Sequence, residues 1–329
     1  MEPCIPSDNS LANPSIYTTV LHTLTCILLP VNLFGAYCIL FKTPKKMEAV
    51  KWLMFSLHCF SALLDLFFSF LSIPYLLLPT LTGYALGVWD NPSVGTYVVT
   101  SLVGGVGVAI LTIFENRYYV LFGRNTWWEK VRKPILIINH LLIPLFFLPI
   151  LSMFPDQEVA FQHVQKVLPC TLQKSYQNRK IFIITTEYQA PVLSGALMTI
   201  WTYSQIFIYF ISILLRQVFR KSTVISAKTS QLQKKFVIAL SLQTFIPVTV
   251  LFTPISYICL SVAINYHNQT FSNLTFIIFS LHGILSSTVM ISVHEPYREF
   301  AKGLAYQLIR KAPRNRLIST VQPSLSVVQ

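Results

Sequence analysis

The residues best suited to chemistry in this 329-residue sequence are charged and polar side chains within long apolar stretches. One group is Glu115-Asn116-Arg117-Tyr118, near the end of the apolar stretch 97–122. A charge at the border of a lipid bilayer is costly unless it faces protein or water, so such a group indicates a functional site. The alternative is that Arg117 only extends its charged end toward lipid headgroups. This stretch alone leaves both interpretations open.

A second candidate is Asp65, a carboxyl group near the middle of the apolar stretch 52–78. An isolated carboxylate in hydrocarbon must be neutral, hydrogen-bonded or bound to a cation. Asn32 and either Ser286 or Ser287 are the predicted partners. The sequence therefore predicts either a hydrogen-bonded packing carboxyl or a cation site formed by Asp65, Asn32 and Ser286.

Motifs of enzymes and cofactor-binding proteins are absent: there is no phosphate-binding glycine loop, HExxH, CxxC or nucleophile elbow. The histidines of the apolar stretches lie in different stretches, which argues against a metal site. Every lysine lies outside the stretches, so no lysine can carry a retinal-type Schiff base in the core. We expect no enzymatic activity, no cofactor and no bound metal.

Seven stretches could position these residues, because each is apolar and close to or above the roughly 20 residues that cross a membrane as a helix. They cover 16–41, 52–78, 97–122, 134–154, 191–215, 236–264 and 274–293. The chain is 53% hydrophobic and 11% charged, whereas soluble domains are about 25% charged. We expect an all-α membrane protein with an extracellular N-terminus (1–15), a seven-transmembrane helix bundle (16–293) and a cytoplasmic segment (294–329).

The positions of lysine and arginine predict the orientation of this bundle. Of 25 such residues, 21 lie on one side, in the loops after the first, third and fifth stretches, in the C-terminal tail or, for Arg117, at the end of the third stretch; four lie on the opposite side. Basic loops face the cytoplasm, so we expect a multi-pass plasma-membrane protein with its N-terminus outside. The basic inner face suits anionic membrane lipid and an acidic protein partner. Bases spread over short loops between spans do not predict a nucleic-acid partner.

The outer halves of the stretches supply a mostly aromatic set of candidate ligand-binding residues: Tyr97, Thr100, Tyr188, Tyr257 and Phe276. Because this set contains few charges, it predicts a small, mostly neutral ligand. The loop 155–188 is long enough to be a lid or binding element. The segment 79–93 is a predicted outer loop, with Gly83, Gly87 and Pro92 as its turn-forming residues.

Two cysteines, Cys4 and Cys170, lie outside the stretches, both on the oxidising outer side. We expect a disulfide between them, because the other four lie within stretches and none lies at the top of the third. Two free or intermolecular thiols are the alternative. Asn268-Gln269-Thr270 fits the N-glycosylation pattern on the same side.

An amphipathic helix is predicted after the last stretch, lying in the inner membrane interface. Phe300, Leu304 and Leu308 recur every four residues there, between basic side chains.

Several short motifs, taken together and in order, resemble the nematode serpentine receptor class H chemoreceptors, a group of seven-helix G-protein-coupled receptors. The resemblance runs from about Cys4 to Phe300. The motifs are Phe34-Gly35-Ala36-Tyr37-Cys38-Ile39-Leu40-Phe41-Lys42-Thr43-Pro44, Leu57-His58 with Asp65, Glu115-Asn116-Arg117-Tyr118-Tyr119, Leu168-Pro169-Cys170, Gln231-Leu232-Gln233-Lys234-Lys235-Phe236, Leu281-His282-Gly283 and His294-Glu295-Pro296-Tyr297-Arg298-Glu299-Phe300.

The resemblance implies a chemosensory receptor of sensory neurons that couples a small-molecule ligand to a heterotrimeric G protein, with the sensory cilium as one expected location. The residues expected to contact the G protein are Glu115, Asn116, Arg117, Tyr118, Lys234 and Lys235. Asn116-Arg117-Tyr118 replaces the Asp-Arg-Tyr motif of rhodopsin-like receptors. Because Glu115 lies two residues before Arg117, the two side chains do not face each other on a helix, which puts the intrahelical ion pair of those receptors in doubt.

A membrane transporter or ligand-gated channel is the alternative function. Transporters usually show paired repeats and several charges within the membrane. This sequence has an odd number of apolar stretches, no visible repeat and one clear mid-membrane charge. A structural or trafficking membrane protein also stays open at this point.

Overall fold

The computed structural model describes residues 10–167, 181–186 and 248–311, together with residues 205, 208, 209, 212, 213, 242 and 245. Within these residues, five helical segments are long and apolar enough to cross a membrane: Pro14–Lys42, Val50–Leu71, Pro92–Tyr118, Trp127–Ser152 and Gln269–Val293. A shorter apolar helix covers Val248–Ala263. These six segments correspond to six of the seven predicted stretches. The fifth stretch, 191–215, lies mostly outside the described residues.

The elements are labelled here in chain order. They are α1 (Pro14–Lys42), α2 (Glu48–Leu66), β1 (Pro74–Leu77), β2 (Thr82–Ala85), α3 (Pro92–Tyr118), α4 (Trp127–Phe147), α5 (Gln157–Val167), β3 (Phe182–Ile183), α6 (Val248–Ala263), α7 (Gln269–Ser280), α8 (His282–Val293) and α9 (Glu295–Lys311). Helical turns of different pitch extend α2 to Leu71, α3 to Gly123 and α4 to Ser152.

Asparagine side chains cap the start of three helices. Asn13 Oδ1 accepts a hydrogen bond from Ser15 N at 2.9 Å before α1, and Asn91 Oδ1 accepts one from Val94 N at 3.2 Å before α3. Asn268 caps α7 in the same way. Asparagine is favoured at this position because its oxygen satisfies an otherwise unpaired backbone N–H group. These caps therefore fix the outer ends of α1, α3 and α7.

Helix α2 lies at the centre of the described bundle and packs against α1, α3 and α8. Glycines permit two of these contacts. A methyl group at Gly105 of α3 would lie 2.5 Å from the Phe60 ring, and one at Gly35 of α1 would lie 2.8 Å from the His58 ring. Small residues let membrane helices approach closely in this way. The Phe60 and His58 side chains of α2 thus occupy space left by glycines on its neighbours.

A three-stranded antiparallel sheet in the order β1-β2-β3 covers one end of the bundle. Tyr75 of β1 pairs with Tyr84 of β2, and Thr82 of β2 pairs with Ile183 of β3. The sequence analysis predicted neither of the first two strands, since β1 lies within the apolar stretch 52–78 and β2 within the outer loop 79–93. Strands β1 and β2 are only four residues long and almost entirely buried, so they show none of the polar alternation that identifies a half-exposed strand.

Helix α9 lies against the inner end of α1, where the amphipathic helix was predicted. The hydroxyl groups of Thr43 and Tyr297 are 2.7 Å apart, and the Phe34 and Phe300 rings stack at 6.1 Å. The Lys42 ammonium lies 4.4 Å from the centre of the Phe300 ring. The first half of α9 is therefore attached to the bundle by specific side-chain contacts.

Candidate functional site

A cavity of about 430 Å³ lies between the sheet and the helices. We call it the outer cavity, because it lies at the end of the bundle that is predicted to face outside. Its walls come from the turn after α2, from β1 and β2, and from α3, α6 and α7. No charged side chain contributes to its lining among the described residues. The cavity is therefore suited to a neutral ligand, which loses little hydration energy on entry.

Aromatic rings form much of the wall. The Phe68 and Phe279 rings stack with their centres 5.0 Å apart, and Phe276 lies 5.7 Å from Phe68. On the sheet side, the Tyr75 and Tyr84 rings stack at 5.1 Å. Such rings offer large apolar area in fixed orientations. The wall is thus rigid as well as apolar.

The backbone bends sharply where α2 gives way to β1. Ile73 has a φ angle of 45°, which is unusual for a β-branched residue, and its side chain is fully buried. A residue held in this region costs on the order of 1–3 kcal/mol and persists only where the surrounding structure fixes it. This bend directs the chain from α2 into the hairpin and places Ser72 in the cavity wall.

The structure brings together only part of the predicted ligand-binding set. Thr100 and Phe276 line the outer cavity. Tyr97 does not, since its hydroxyl donates instead to Pro144 O on α4 at 3.3 Å. Tyr257 lines a separate cavity of about 300 Å³. Tyr188 lies outside the described residues.

Tyr97 and Tyr257 thus lie apart from the outer cavity, and the ligand-binding role of the whole set stays a prediction. Residues three apart on a helix need not share a wall, and the sequence does not show which face of α3 meets α4. The sequence analysis also missed the contribution of the hairpin. Its signal was the pair of tyrosines, Tyr75 and Tyr84, on either side of a turn.

Asp65 lies in a buried polar network that links α1, α2 and α8. One carboxylate oxygen accepts a hydrogen bond from Gly283 N at 2.7 Å, and the other accepts one from Asn32 Nδ2 at 3.2 Å. Asn32 Oδ1 in turn accepts one from Ser287 Oγ at 3.1 Å. The His58 ring lies within hydrogen-bond distance of both Asn32 O and Ser287 Oγ.

This network contains one of the two serines that the sequence offered, and it includes a further residue. Ser287, rather than Ser286, supplies the hydroxyl group of the network within the described residues. His58 joins the network as well, although no histidine was predicted among the partners of Asp65. The partner of Asp65 that the sequence did not indicate is a backbone group, Gly283 N.

That backbone group is available because the seventh span is broken. The span is divided at Leu281 into α7 and α8, and Gly283 lies in the first turn of α8. The first N–H groups of a helix lack partners within the helix, and the helix dipole favours negative charge at that end. Asp65 thus occupies a position that stabilises a buried carboxylate through neutral donors.

The predicted coupling residues lie at the inner ends of α3 and α4. Glu115 is only 1% exposed. Its carboxylate accepts hydrogen bonds from Arg132 Nε at 3.0 Å, from an Arg132 terminal nitrogen at 2.8 Å and from Trp128 Nε1 at 2.7 Å. The same Arg132 group donates to Asn116 Oδ1 at 3.2 Å. We call Glu115, Asn116, Trp128 and Arg132 the inner clamp.

The inner clamp shows that the charge partner of Glu115 is on α4 and not within α3. Trp128 and Arg132 are four residues apart, so both lie on the face of α4 that meets α3. The guanidinium of Arg132 also lies 3.9 Å from the Tyr119 ring centre. Neither Trp128 nor Arg132 was among the predicted site residues. Their spacing of four was the available signal.

The remaining coupling residues have separate surroundings. Arg117 is half-buried, and the Tyr118 ring packs edge-on against Tyr209 at 5.9 Å. Lys234 and Lys235 lie outside the described residues.

Two further predictions concern the outer side. Cys4 and Cys170 lie outside the described residues, so their disulfide stays a prediction, while Cys26, Cys38, Cys59 and Cys259 are free thiols. Asn268 is half-buried, and its side-chain nitrogen donates to Tyr266 Oη at 3.3 Å. Its glycosylation also stays a prediction.

Comparison with known proteins gives a consistent assignment. A family model described as serpentine type 7TM GPCR chemoreceptor Srh matches residues 12–307. Serpentine receptor class H-72 of Caenorhabditis elegans is 25% identical over 322 residues, which covers 92% of this chain and 89% of that receptor.

Proposed function

Because the chain belongs to the serpentine Srh chemoreceptor family of seven-helix receptors, we propose that it binds a small, neutral, largely apolar ligand in the outer cavity and activates a heterotrimeric G protein at its inner face. The family consists of receptors and not of enzymes. The class of ligand and the coupling to a G protein are what we propose for this chain.

The uncharged lining of the outer cavity is the observation that carries the ligand proposal. An ionised amine or carboxylate would lose its hydration there without meeting an opposite charge in the described lining. A neutral molecule of moderate size could instead contact the rings of Phe68, Phe276 and Phe279.

The inner clamp supports the position of the coupling surface. It fixes Glu115 and Asn116 beside Arg117, at the end of α3 that carries the basic loops. A basic inner face attracts an acidic protein partner and anionic lipid headgroups. We place the G protein at this face, with Arg117 as its central contact.

The test is ligand-stimulated nucleotide exchange on a co-expressed G protein. Arg117→Ala should abolish exchange while surface expression and ligand binding persist. Arg124→Ala is the matched control. Arg124 is an exposed arginine between α3 and α4, so it should tolerate the change. Unchanged exchange for Arg117→Ala at equal surface expression would show that Arg117 only contacts lipid headgroups.

The same assay separates a receptor from a transporter or channel. A receptor requires the G protein for its response, whereas a transporter or channel moves solute or current without it. Ligand-dependent flux in cells that lack the G protein would contradict the proposal.

The network around Asp65 supports a hydrogen-bonded carboxyl, since Gly283 N and Asn32 Nδ2 each bind one of its oxygens. A cation at Asp65, Asn32 and Ser286 stays the alternative prediction. If a cation binds at this site, sodium should change the agonist affinity of the unmutated receptor, and Asp65→Asn should remove this effect. An agonist affinity independent of sodium in the unmutated receptor would contradict the cation site.

We also propose a plasma-membrane location, including the sensory cilium, with the N-terminus outside. The charge asymmetry of the loops supports this orientation. Removal of a glycan from Asn268 by a glycosidase added to intact cells would test the orientation and the glycosylation site together. An Asn268→Gln variant should show no shift in gel mobility on the same treatment.

A further inference from the structure

Besides the phenol groups of Tyr75 and Tyr84, the mostly apolar lining of the outer cavity contains three aliphatic hydroxyl groups: Ser72, Thr96 and Thr100. Thr96 and Thr100 are four residues apart and lie on one face of α3. A methyl group placed on Gly95 would be 3.9 Å from Ser72 Oγ, so Ser72 lies against the start of α3, next to Thr96. The three groups thus line adjacent parts of one wall.

The two threonines have already used their hydroxyl protons. Thr96 Oγ1 donates to Pro92 O at 2.8 Å. Thr100 Oγ1 donates to Thr96 O at 2.8 Å and is also 3.0 Å from Tyr97 O. A hydroxyl group has one hydrogen but two lone pairs, so each threonine can still accept a hydrogen bond but cannot donate one. Both therefore favour a ligand that is a donor.

Ser72 differs from them. Its backbone is fixed, because its N–H donates to Phe67 O at 2.9 Å and its carbonyl accepts from Leu86 N at 3.1 Å and Gly87 N at 2.9 Å. Its Oγ has no hydrogen-bond partner within the part of the chain that the structure describes. Ser72 can therefore donate a hydrogen bond into the cavity from a fixed position.

We infer that the ligand of the outer cavity is a neutral, mostly apolar molecule with a hydroxyl group, recognised by Ser72, Thr96 and Thr100. The ligand O–H donates to a threonine oxygen, while the ligand oxygen accepts from Ser72. A ketone of the same shape can accept from Ser72 but leaves the threonines without a donor. This inference rests on the proposed function, because it takes the outer cavity as the ligand site.

Menthol, menthone and menthane provide the test, since they share one carbon skeleton and carry a hydroxyl, a carbonyl and neither group. Their equilibrium binding is measured on the purified full-length receptor in lipid nanodiscs, with empty nanodiscs subtracted. Menthol should bind about fivefold more tightly than menthone, a factor that corresponds to one net hydrogen bond. Menthane should bind most weakly.

Variants assign this preference to the three side chains. Replacing both Thr96 and Thr100 by valine keeps their shape and removes the acceptors, so menthol should lose its advantage while the affinity for menthone stays the same. Ser72→Ala should weaken menthol and menthone by a similar factor. Thr112→Val is the matched control: Thr112 makes the same kind of bond to Val108 O, at 2.7 Å, but is not part of the described cavity lining.

Several outcomes would overturn the inference. Equal affinity for menthol and menthone in the unmutated receptor excludes recognition of a hydroxyl, whether or not any variant folds. A preference for menthol that survives in the double valine variant excludes the threonines as its source. No binding of any of the three compounds excludes this ligand class. G-protein nucleotide exchange is measured separately, so each of these results leaves the coupling proposal to its own test.

Discussion

At the scale of single residues, Glu115 and Arg132 show how a charge is accommodated at the border of the membrane. Glu115 is 1% exposed and Arg132 13% exposed, and they form a two-bond ion pair with a shortest N–O distance of 2.8 Å. Removing one partner of a buried pair leaves an uncompensated charge, which costs more than removing both.

We predict that Arg132→Met lowers the thermal midpoint of the purified receptor, with a loss of about 3 kcal/mol in folding free energy. The reason is that Glu115 would retain only the Trp128 hydrogen bond. Thermal unfolding is measured in detergent. The fraction unfolded is monitored through the reaction of the newly exposed thiols with a fluorescent maleimide.

The double variant Glu115→Gln with Arg132→Met should recover much of this stability, since no buried charge remains. Arg124→Met, at an exposed arginine between α3 and α4, should change little. A double variant no more stable than Arg132→Met alone would show that the ion pair is not the cause.

His294 provides a second residue-scale prediction, because it lies just outside the last span and is 6% exposed. Burial lowers the pKa of His294 to about 4, whereas an unfolded histidine has a pKa of about 6.5. The unfolded chain therefore binds more protons between these values, and stability falls as the pH falls from about 6.5 toward 4. The full loss is about 3 kcal/mol.

His294→Phe should flatten this dependence, since phenylalanine keeps an aromatic ring beside Tyr297 but does not titrate. The measurement is the thermal midpoint as a function of pH, and the exposed His163→Gln variant is the control. A variant with the same slope as the unmutated receptor would rule out His294 as the titrating group.

At the scale of elements, the break between α7 and α8 creates the N–H group that Asp65 binds. Gly283 is required there because a methyl group would collide with the Asp65 carboxylate and lie 2.9 Å from Ser61 O. A backbone atom cannot move aside as a flexible side chain can, so the helices would have to separate.

We predict that Gly283→Ala destabilises the receptor by about 1–3 kcal/mol, the usual cost of overpacking, and lowers its surface expression. Gly303→Ala is the matched control, because nothing lies within 4 Å of a methyl group at this helical glycine. Alanine favours a helix over glycine, so the control should be neutral or slightly stabilising. Equal surface expression of the two variants would contradict the close contact.

At the scale of the whole molecule, we predict that Cys4 pairs with Cys170 and ties the N-terminal segment to the long outer loop. In the chain-entropy model, such a bridge adds roughly 3–5 kcal/mol to the free energy of unfolding. The gain is smaller here because the membrane already restrains both ends of the bridged segment. Peptide mapping without reduction should recover the linked peptides. Alkylation of Cys4 in unreduced protein would exclude the bridge.

The bundle was predictable from the sequence because a span must be apolar over its whole length, whatever its neighbours are. This apolar composition does not show which faces of neighbouring helices meet. The sequence therefore did not distinguish Thr100 and Phe276, which line the outer cavity, from Tyr97, which does not. Arg132 was missed because its pairing with Glu115 depends on how α3 and α4 cross. Gly283 could not have been found as a partner of Asp65, since a backbone group acts there.

The broken seventh span has a consequence for how such receptors can diversify. Its outer half contributes Phe276 and Phe279 to the outer cavity. Its inner half, α8, contacts α9. The helix is interrupted at Leu281. A substitution that shifts the outer half therefore need not tilt the inner half. Substitutions that alter the outer cavity and substitutions that alter the contacts of the inner half can then be selected separately along one span. A saturation mutagenesis scored for folding and for coupling should show two distinct patterns of tolerance that change at Leu281.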